Sequence, residues 1–289
     1  MRENTNPYGV EPDLRISPGS FGRLAEFVTA ELGIKMPESK ASMIQSRLAR
    51  RVRELRLGSL DEYCEYLFSN GSTAERAHFI DAVTTNKTDF FREPQHFKYL
   101  TATALPALTG PGKAARNRSV AIWSAACSSG EEPYTLAMVL GEYALAHPPF
   151  EFRILGTDVS TKVLQLAAEG IYARQSIAPV PPGLRRKYVL QSKDGAPSVR
   201  IKAALRQKVS FHPLNFMDAD YCVREMFDVI FCRNLLIYFD RPTQQAVIGK
   251  LCRNLHPGGY LFISLSESLS GLDLPLVSLG SSCFQKHGA

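Results

Sequence analysis

Between Ser119 and Leu140 an apolar stretch passes through a tract of small residues straight into an amphipathic segment, SVAIWSAACSSGEEPYTLAMVL, and few folds accommodate that order. Val120, Ile122 and Trp123 carry strand propensity, and Ala125 to Gly130 are small enough for a ligand to touch backbone. Pro133 sits where a first helical turn accepts it, and Leu136, Met138 and Leu140 follow as core-facing candidates. A strand feeding a helix through such a turn builds nucleotide-binding crevices, although an ordinary strand–turn–helix of an α/β core reads the same way.

Glu131 and Glu132 occupy the helix start, where a phosphate binder would keep that end open to an anion. The ligand groups expected beside the turn are therefore hydroxyls or a cation, as in S-adenosylmethionine, whose ribose diol and α-ammonium both suit carboxylates. Phe152–Asp158 is a buried-strand pattern ending in an acid 28 residues after Gly130, the spacing at which a doubly wound fold sets strand two beside strand one. An acid there commonly receives a ribose diol. Asp158-Val159-Ser160-Thr161 equally suits the N-cap of a helix over TKVLQLAAEG. Phe227–Asp240 supplies a third apolar strand and His256–Ser264 a turn plus a fourth, and strands alternating with helical patterns make a parallel sheet.

Six ordered motifs carry a more specific signal: TTNKTDFFRE (84–93), WSAACSSGEEPYT (123–135), GTDVS (156–160), PLNF (213–216), CRNLLIYF (232–239) and SESLSGLD (266–273). In this order they resemble the chemotaxis receptor methyltransferases, the CheR family, from about Phe21 onward. The resemblance implies an α/β fold with a doubly wound, mostly parallel sheet of the class I methyltransferase type. It also implies S-adenosylmethionine as cofactor, S-adenosylhomocysteine as product, and esterification of glutamate side chains on methyl-accepting chemotaxis proteins. One departure is visible: SLSES stands at 264–268, where the family more often shows glycine-histidine-serine-glutamate.

The remaining chain organises around that core. Residues 1–18 are polar and rich in Pro and Gly, which suggests a flexible segment without the character of a signal peptide. Residues 19–83 read as a helical domain. Phe21, Leu24, Phe27, Val28 and Leu32 mark one helix stopped by Gly33, and Ile44, Leu48, Val52 and Leu55 a second stopped by Gly58. Ser59 with Glu62, and Ser72 with Glu75, have capping-box spacing and open two more. Residues 84–92 form a linker to the cofactor site, and 93–289 the methyltransferase domain. Between about 173 and 210, Pro179, Pro181 and Pro182 precede alternating patterns at Val199 and Ile201 and at Val209 and Phe211, predicting a small β insertion. In the family this insertion meets the receptor; by composition alone it is a surface excursion.

Composition limits the function classes. With 45% hydrophobic residues in 289, the chain can bury a substantial core, and no apolar run approaches the ~20 residues of a membrane span. Six cysteines without CxxC spacing read as reduced, buried thiols of a cytoplasmic protein, and no metal-ligand pattern is present. A net charge of +6 predicts an acidic partner. The second helix carries Arg47, Arg50, Arg51, Arg53 and Arg56 against one acid, Glu54, which suits an acidic docking surface as well as a solvated face. The resemblance implies docking on the receptor's cytoplasmic coiled coil by a monomer recruited to receptor arrays at the inner membrane, with no membrane insertion and no nucleic acid.

By match to the family motifs, Arg92 and Tyr238 are the expected catalytic pair. Asn86, Thr88, Arg92, Glu131 (or its neighbour Glu132), Asp158, Asn215, Phe216, Asn234 and Leu235 are the expected cofactor contacts. A glutamate acceptor, with a pKa of about 4.3, is already ionised at neutral pH, so no general base is required. His96 and His212 accordingly read as structural. Arg92 pairing with Glu93 or a neighbouring acid, and Tyr238 packing on its strand, are the structural alternatives. A nucleic-acid methyltransferase would share the cofactor fold, but neither an Asn/Asp-Pro-Pro-aromatic motif nor a Pro-Cys nucleophile is present. A non-catalytic cofactor-binding scaffold is the other rival, and Arg92 with Tyr238 argue against it. Gln191–Arg200 has one glycine and a stiffening proline, Pro197, so reliance on a receptor C-terminal peptide tether is not expected.

Overall fold

The computed structural model describes residues 12–69, 71–112, 119–192 and 195–288, and the chain divides into two units, residues 1–85 and 86–289. The first unit is all helical: α1 (Pro18–Leu32), α2 (Ala41–Glu54), α3 (Leu60–Ser69) and α4 (Thr73–Val83). Phe21, Leu24, Val28, Ile44, Leu48, Val52, Leu60, Tyr63, Leu67 and Phe79 make its core, the faces that the helical periodicity predicts. Gly33 ends α1 at φ 68, as expected. Helix α2 ends earlier than Gly58: Arg56 takes the left-handed turn at φ 59, and the Gly58 N–H donates to Glu62. Of the expected flexible segment, residues 1–11 lie outside the described residues. The part that follows is pinned, because Asp13 pairs with the Gly58–Leu60 backbone and Ser17 caps α1.

In the second unit, α5 (Pro94–Tyr99) continues through a wide π turn at Leu100–Ala104 into α6 (Leu105–Thr109). The alternating elements follow: β1 (Val120–Ala125), α7 (Glu131–Ala146), β2 (Phe152–Asp158), α8 (Thr161–Glu169), β3 (Ile171–Ala173), α9 (Pro182–Tyr188), β4 (Val189–Gln191), β5 (Ser198–Ile201), α10 (Ala203–Arg206), β6 (Val209–Pro213), β7 (Phe227–Cys232), α11 (Arg241–Arg253), β8 (Leu255–Phe262), β9 (Leu276–Gly280) and β10 (Cys283–Lys286). The main sheet runs β6-β2-β1-β7-β8-β10-β9, parallel through β8 and closed by the antiparallel β10 and β9. A separate antiparallel sheet, β3-β5-β4, forms the small insertion. Strand β6 departs from the sequence expectation: Val209 and Phe211 belong to the main sheet's edge, paired with β2, and not to the insertion.

Every residue of β1 and β7 is buried, which is why both read as near-continuous apolar runs. Strand order reverses between them, the switch point at which open α/β sheets hold ligands. Register fixes what emerges there. Ala125 is level with Thr157 and with Cys232, so Ala126, Asp158 and Arg233 leave the sheet side by side. Phe231 is level with Phe262, which carries Ser264 beside Arg233. Cys222 is exposed, against the expectation of buried thiols; the other five cysteines are buried and all six are free. Among the described residues no helix is long and apolar enough to cross a membrane.

Candidate active site

The turn after β1 is built by backbone that few side chains tolerate. Ala126 and Ser128 have φ of 63 and 50, and Gly130, the N-cap of α7, has φ 94. A Cβ at Gly130 would stand 2.8 Å from Ala167 Cβ and 2.9 Å from the Tyr172 hydroxyl, so this glycine serves close packing on α8 and β3. Asp158 braces the turn from β2: its carboxylate accepts the N–H of Ser128 at 2.9 Å and of Ser160 at 3.0 Å. Ser160, and not Asp158, caps α8, its hydroxyl accepting from the Val163 N–H.

The two acids at the helix start part company. Glu132 receives the Ser124 hydroxyl at 2.7 Å and Arg233 Nη1 at 2.9 Å, so it is committed to the fold. Glu131 is buried, with the Ser129 hydroxyl donating at 2.7 Å. Burial pushes its carboxyl above the ordinary range, an effect that the serine offsets only in part.

Segment 86–93 is tied to this edge at four points. Ser128 Oγ donates to the Asn86 carbonyl at 2.9 Å, the Phe91 N–H donates to Thr135 Oγ1 at 3.1 Å, Arg233 Nη2 donates to the Arg92 carbonyl, and Ser264 Oγ donates to Glu93 at 2.7 Å. Phe91 and Glu93 take φ of 55 and 56, and Asn234 takes 59. Five non-glycine residues of this edge therefore hold left-handed backbone, a strain that persists where the surroundings over-determine it. Glu93 pairs with Arg233 at 3.2 Å, so the expected alternative of an Arg92–Glu93 pair is not formed. Arg92 itself is half-buried, and Nη1 donates to the Lys87 carbonyl at 3.3 Å.

Arg233, which the sequence reading passed over, is the hub. Its side chain is 2% exposed, pairs with Glu93 and Glu132, and sits over the Phe97 ring. A cation one residue beyond a strand that is apolar save for Asp228 was the available signal, because burial at that place demands carboxylate partners. Glu267 is the second such residue: its buried carboxylate accepts the N–H groups of Ser264, Asn234 and Leu236 at 2.8, 3.1 and 2.8 Å. It thereby shapes the turn Leu236–Tyr238 that carries Tyr238, while burial raises its carboxyl above the usual range.

The other expected residues are placed as follows. Thr88, Leu235 and Tyr238 are half-buried in these loops. Asn215 forms an Asx turn, its Oδ1 accepting the Met217 N–H at 3.0 Å. Phe216 is buried and packs edge-on against Tyr221, so its ring is held by the core. His96 is buried, with Nε2 3.1 Å from the Ser281 carbonyl, and burial and the Arg233 charge lower its pKa; His212 is exposed. In the helical unit Arg47 donates to the Val83 and Thr84 carbonyls at the end of α4, and Arg51 pairs with buried Glu75. Arg47 and Arg51 thus serve the fold. Arg50, Arg53 and Arg56 are exposed, with Arg50 bridging to Glu54.

The residues fit S-adenosylmethionine: a buried, under-compensated carboxylate at Glu131 suits an ammonium, and Asp158 stands at the second strand's end. Comparison with known proteins supports the same cofactor. Residues 86–282 match the model described as CheR methyltransferase, SAM binding domain, and residues 19–84 that of the CheR methyltransferase all-alpha domain. The chain is 38% identical over 270 residues to a chemotaxis protein methyltransferase of Borreliella burgdorferi, covering 93% of this chain and 94% of that one. It is 38% identical over 249 residues to chemotaxis protein methyltransferase 2 of Pseudomonas aeruginosa (86% of each) and 36% over 261 residues to the chemotaxis protein methyltransferase of Escherichia coli (90% and 88%). Domain order, sheet topology and sequence together make this chain a member of the CheR methyltransferase family, with S-adenosylmethionine as its cofactor.

Proposed function

We propose that this protein esterifies glutamate side-chain carboxylates of methyl-accepting chemotaxis receptors. The observation that carries the reading is Arg92. It lies on a segment fastened at four points to the ligand-holding edge of the sheet, and among the described residues no carboxylate pairs with it. An arginine so held suits an incoming carboxylate. Relatives at 34–38% identity are named chemotaxis protein methyltransferases, which supports methyl transfer in chemotaxis.

S-adenosylmethionine supplies a methyl group on a sulfonium, open to in-line displacement by a carboxylate oxygen. The acceptor needs no base, since a glutamate is ionised at neutral pH. Arg92 receives and orients it, and Tyr238 donates a hydrogen bond from the turn that Glu267 braces. Glu131 takes the cofactor's ammonium and Asp158 its ribose. Asn86, Thr88, Asn215, Phe216, Asn234 and Leu235 complete the cofactor contacts, and the exposed Arg50, Arg53 and Arg56 steer the acidic receptor helices.

Labelled cofactor offered with a receptor cytoplasmic fragment, DNA or RNA tests the reading. Label should enter the receptor fragment and leave as methanol in mild alkali. Alkali-stable label, or label in nucleic acid, overturns it. Arg92→Ala should lower turnover more than Tyr238→Phe, because a lost cation opposite a carboxylate costs more than one neutral donor.

A further inference from the structure

Ser264 opens the SLSES stretch that replaces glycine-histidine-serine-glutamate, and its buried hydroxyl joins two residues from different parts of the site. Its Oγ lies 2.7 Å from Glu93 Oε1 and 2.7 Å from Asn234 Nδ2. Proton counting settles the direction of both bonds. Burial alone would raise the Glu93 carboxyl, but the Ser264 hydroxyl and the Arg233 charge outweigh it and hold Glu93 ionised, able only to accept. A serine has one proton. It goes to Glu93, and the longer contact to Ser266 Oγ at 3.2 Å leaves that order unchanged.

Ser264 can then only accept from Asn234, which must turn its amide N–H toward the serine and its amide oxygen the other way. Asn234 has little freedom besides: Glu267 accepts its backbone N–H at 3.1 Å, and its φ is 59. We infer that Ser264 is a positioning residue that makes Asn234 present an acceptor oxygen to a hydrogen-bond donor of the bound cofactor. The inference rests on the methyltransferase reading above, and the donor is the ammonium, a ribose hydroxyl or the adenine amino group. Charge runs along one chain of contacts, Glu132 to Arg233 to Glu93 to Ser264 to Asn234, so the buried ion pairs set the polarity of a neutral amide two residues away.

Calorimetry on the full chain with S-adenosylmethionine, S-adenosylhomocysteine and adenosine tests this. Ser264→Ala and Asn234→Ala should each weaken S-adenosylhomocysteine binding by about 3–10-fold, the scale of one neutral hydrogen bond. The double variant should bind no worse than Asn234→Ala, because the serine acts through the asparagine. Ser264→Thr, which keeps the hydroxyl, should retain wild-type affinity and covers the case in which alanine unsettles the fold. Weakened adenosine binding assigns the donor to the nucleoside, and unchanged adenosine binding assigns it to the ammonium; either supports the role. Additive losses in the double variant, or unchanged affinity in Ser264→Ala, overturn it. Wild-type protein that binds none of the three ligands overturns the methyltransferase reading itself.

Discussion

Arg51 offers a sharp separation between an arginine that docks and one that folds. Its Nε lies 3.1 Å from both carboxylate oxygens of Glu75, whose side chain is 3% exposed, and the Tyr63 hydroxyl donates to the same carboxylate at 2.9 Å. Arg51→Ala leaves that carboxylate buried with the tyrosine as its remaining donor. Removing one partner of a buried pair costs about 3–5 kcal/mol, and since solvent reaches a quarter of the Arg51 side chain the lower end, about 3 kcal/mol, applies. Arg50→Ala breaks an exposed, solvent-screened i,i+4 pair to Glu54 and should cost little. In urea, with hydrogen exchange read at the amides of α2 to α4, Arg51→Ala should lower the stability of the helical unit several times more than Arg50→Ala. Arg51→Ala with Glu75→Gln should recover much of the loss, because the unpaired charge has gone. Equal losses for Arg50→Ala and Arg51→Ala would refute the argument, as would a double variant no more stable than Arg51→Ala.

Glu131→Gln should weaken S-adenosylmethionine binding by about 1.5–3 kcal/mol, the scale of a hydrogen bond between charged groups, measured by calorimetry. Because burial raises this acid, wild-type affinity should fall as pH drops through the raised value, where the free protein holds a proton that the ammonium must expel; Glu131→Gln should lose that pH dependence. Charge reversal at Arg53 and Arg56 should raise the Michaelis constant for an acidic receptor fragment and leave cofactor affinity unchanged. Wild-type activity should fall with salt, since the Debye length is about 10 Å at 0.1 M. Titration with receptor C-terminal peptides should show no micromolar binding, on the strength of Gly195 and Pro197 in the Gln191–Arg200 loop, of which residues 193 and 194 lie outside the described residues.

The central strands, α7, the four N-terminal helices and the family motifs were legible because each leaves a local signal: continuous apolar runs for strands buried on both faces, a 3.6-residue stripe for helices, and small residues between β1 and α7. The β9–β10 hairpin was not. Its turn, Ser281-Ser282, holds φ of 49 and 56 without glycine or asparagine, so the usual hairpin signature is missing. Nor could periodicity assign β6 to the main sheet, since an edge strand and an insertion strand alternate alike.

The candidate site divides the same way. Motif order pointed to Arg92, Glu131, Asp158 and Tyr238, residues whose neighbours in sequence carry the pattern. What only the tertiary structure decided is which charges meet. Glu132 lies 101 residues from Arg233 and Glu93 lies 171 from Ser264, and their pairing follows from strand register at the switch point. The same holds for the arginines of α2. Sequence placed five arginines along this stretch, of which α2 holds four and Arg56 follows its end, but packing against α3 and α4 decided that Arg47 and Arg51 would be consumed by backbone carbonyls and a buried glutamate. Helical periodicity fixes the side of the helix a residue occupies, whereas a long side chain's partner depends on what the fold brings within its reach.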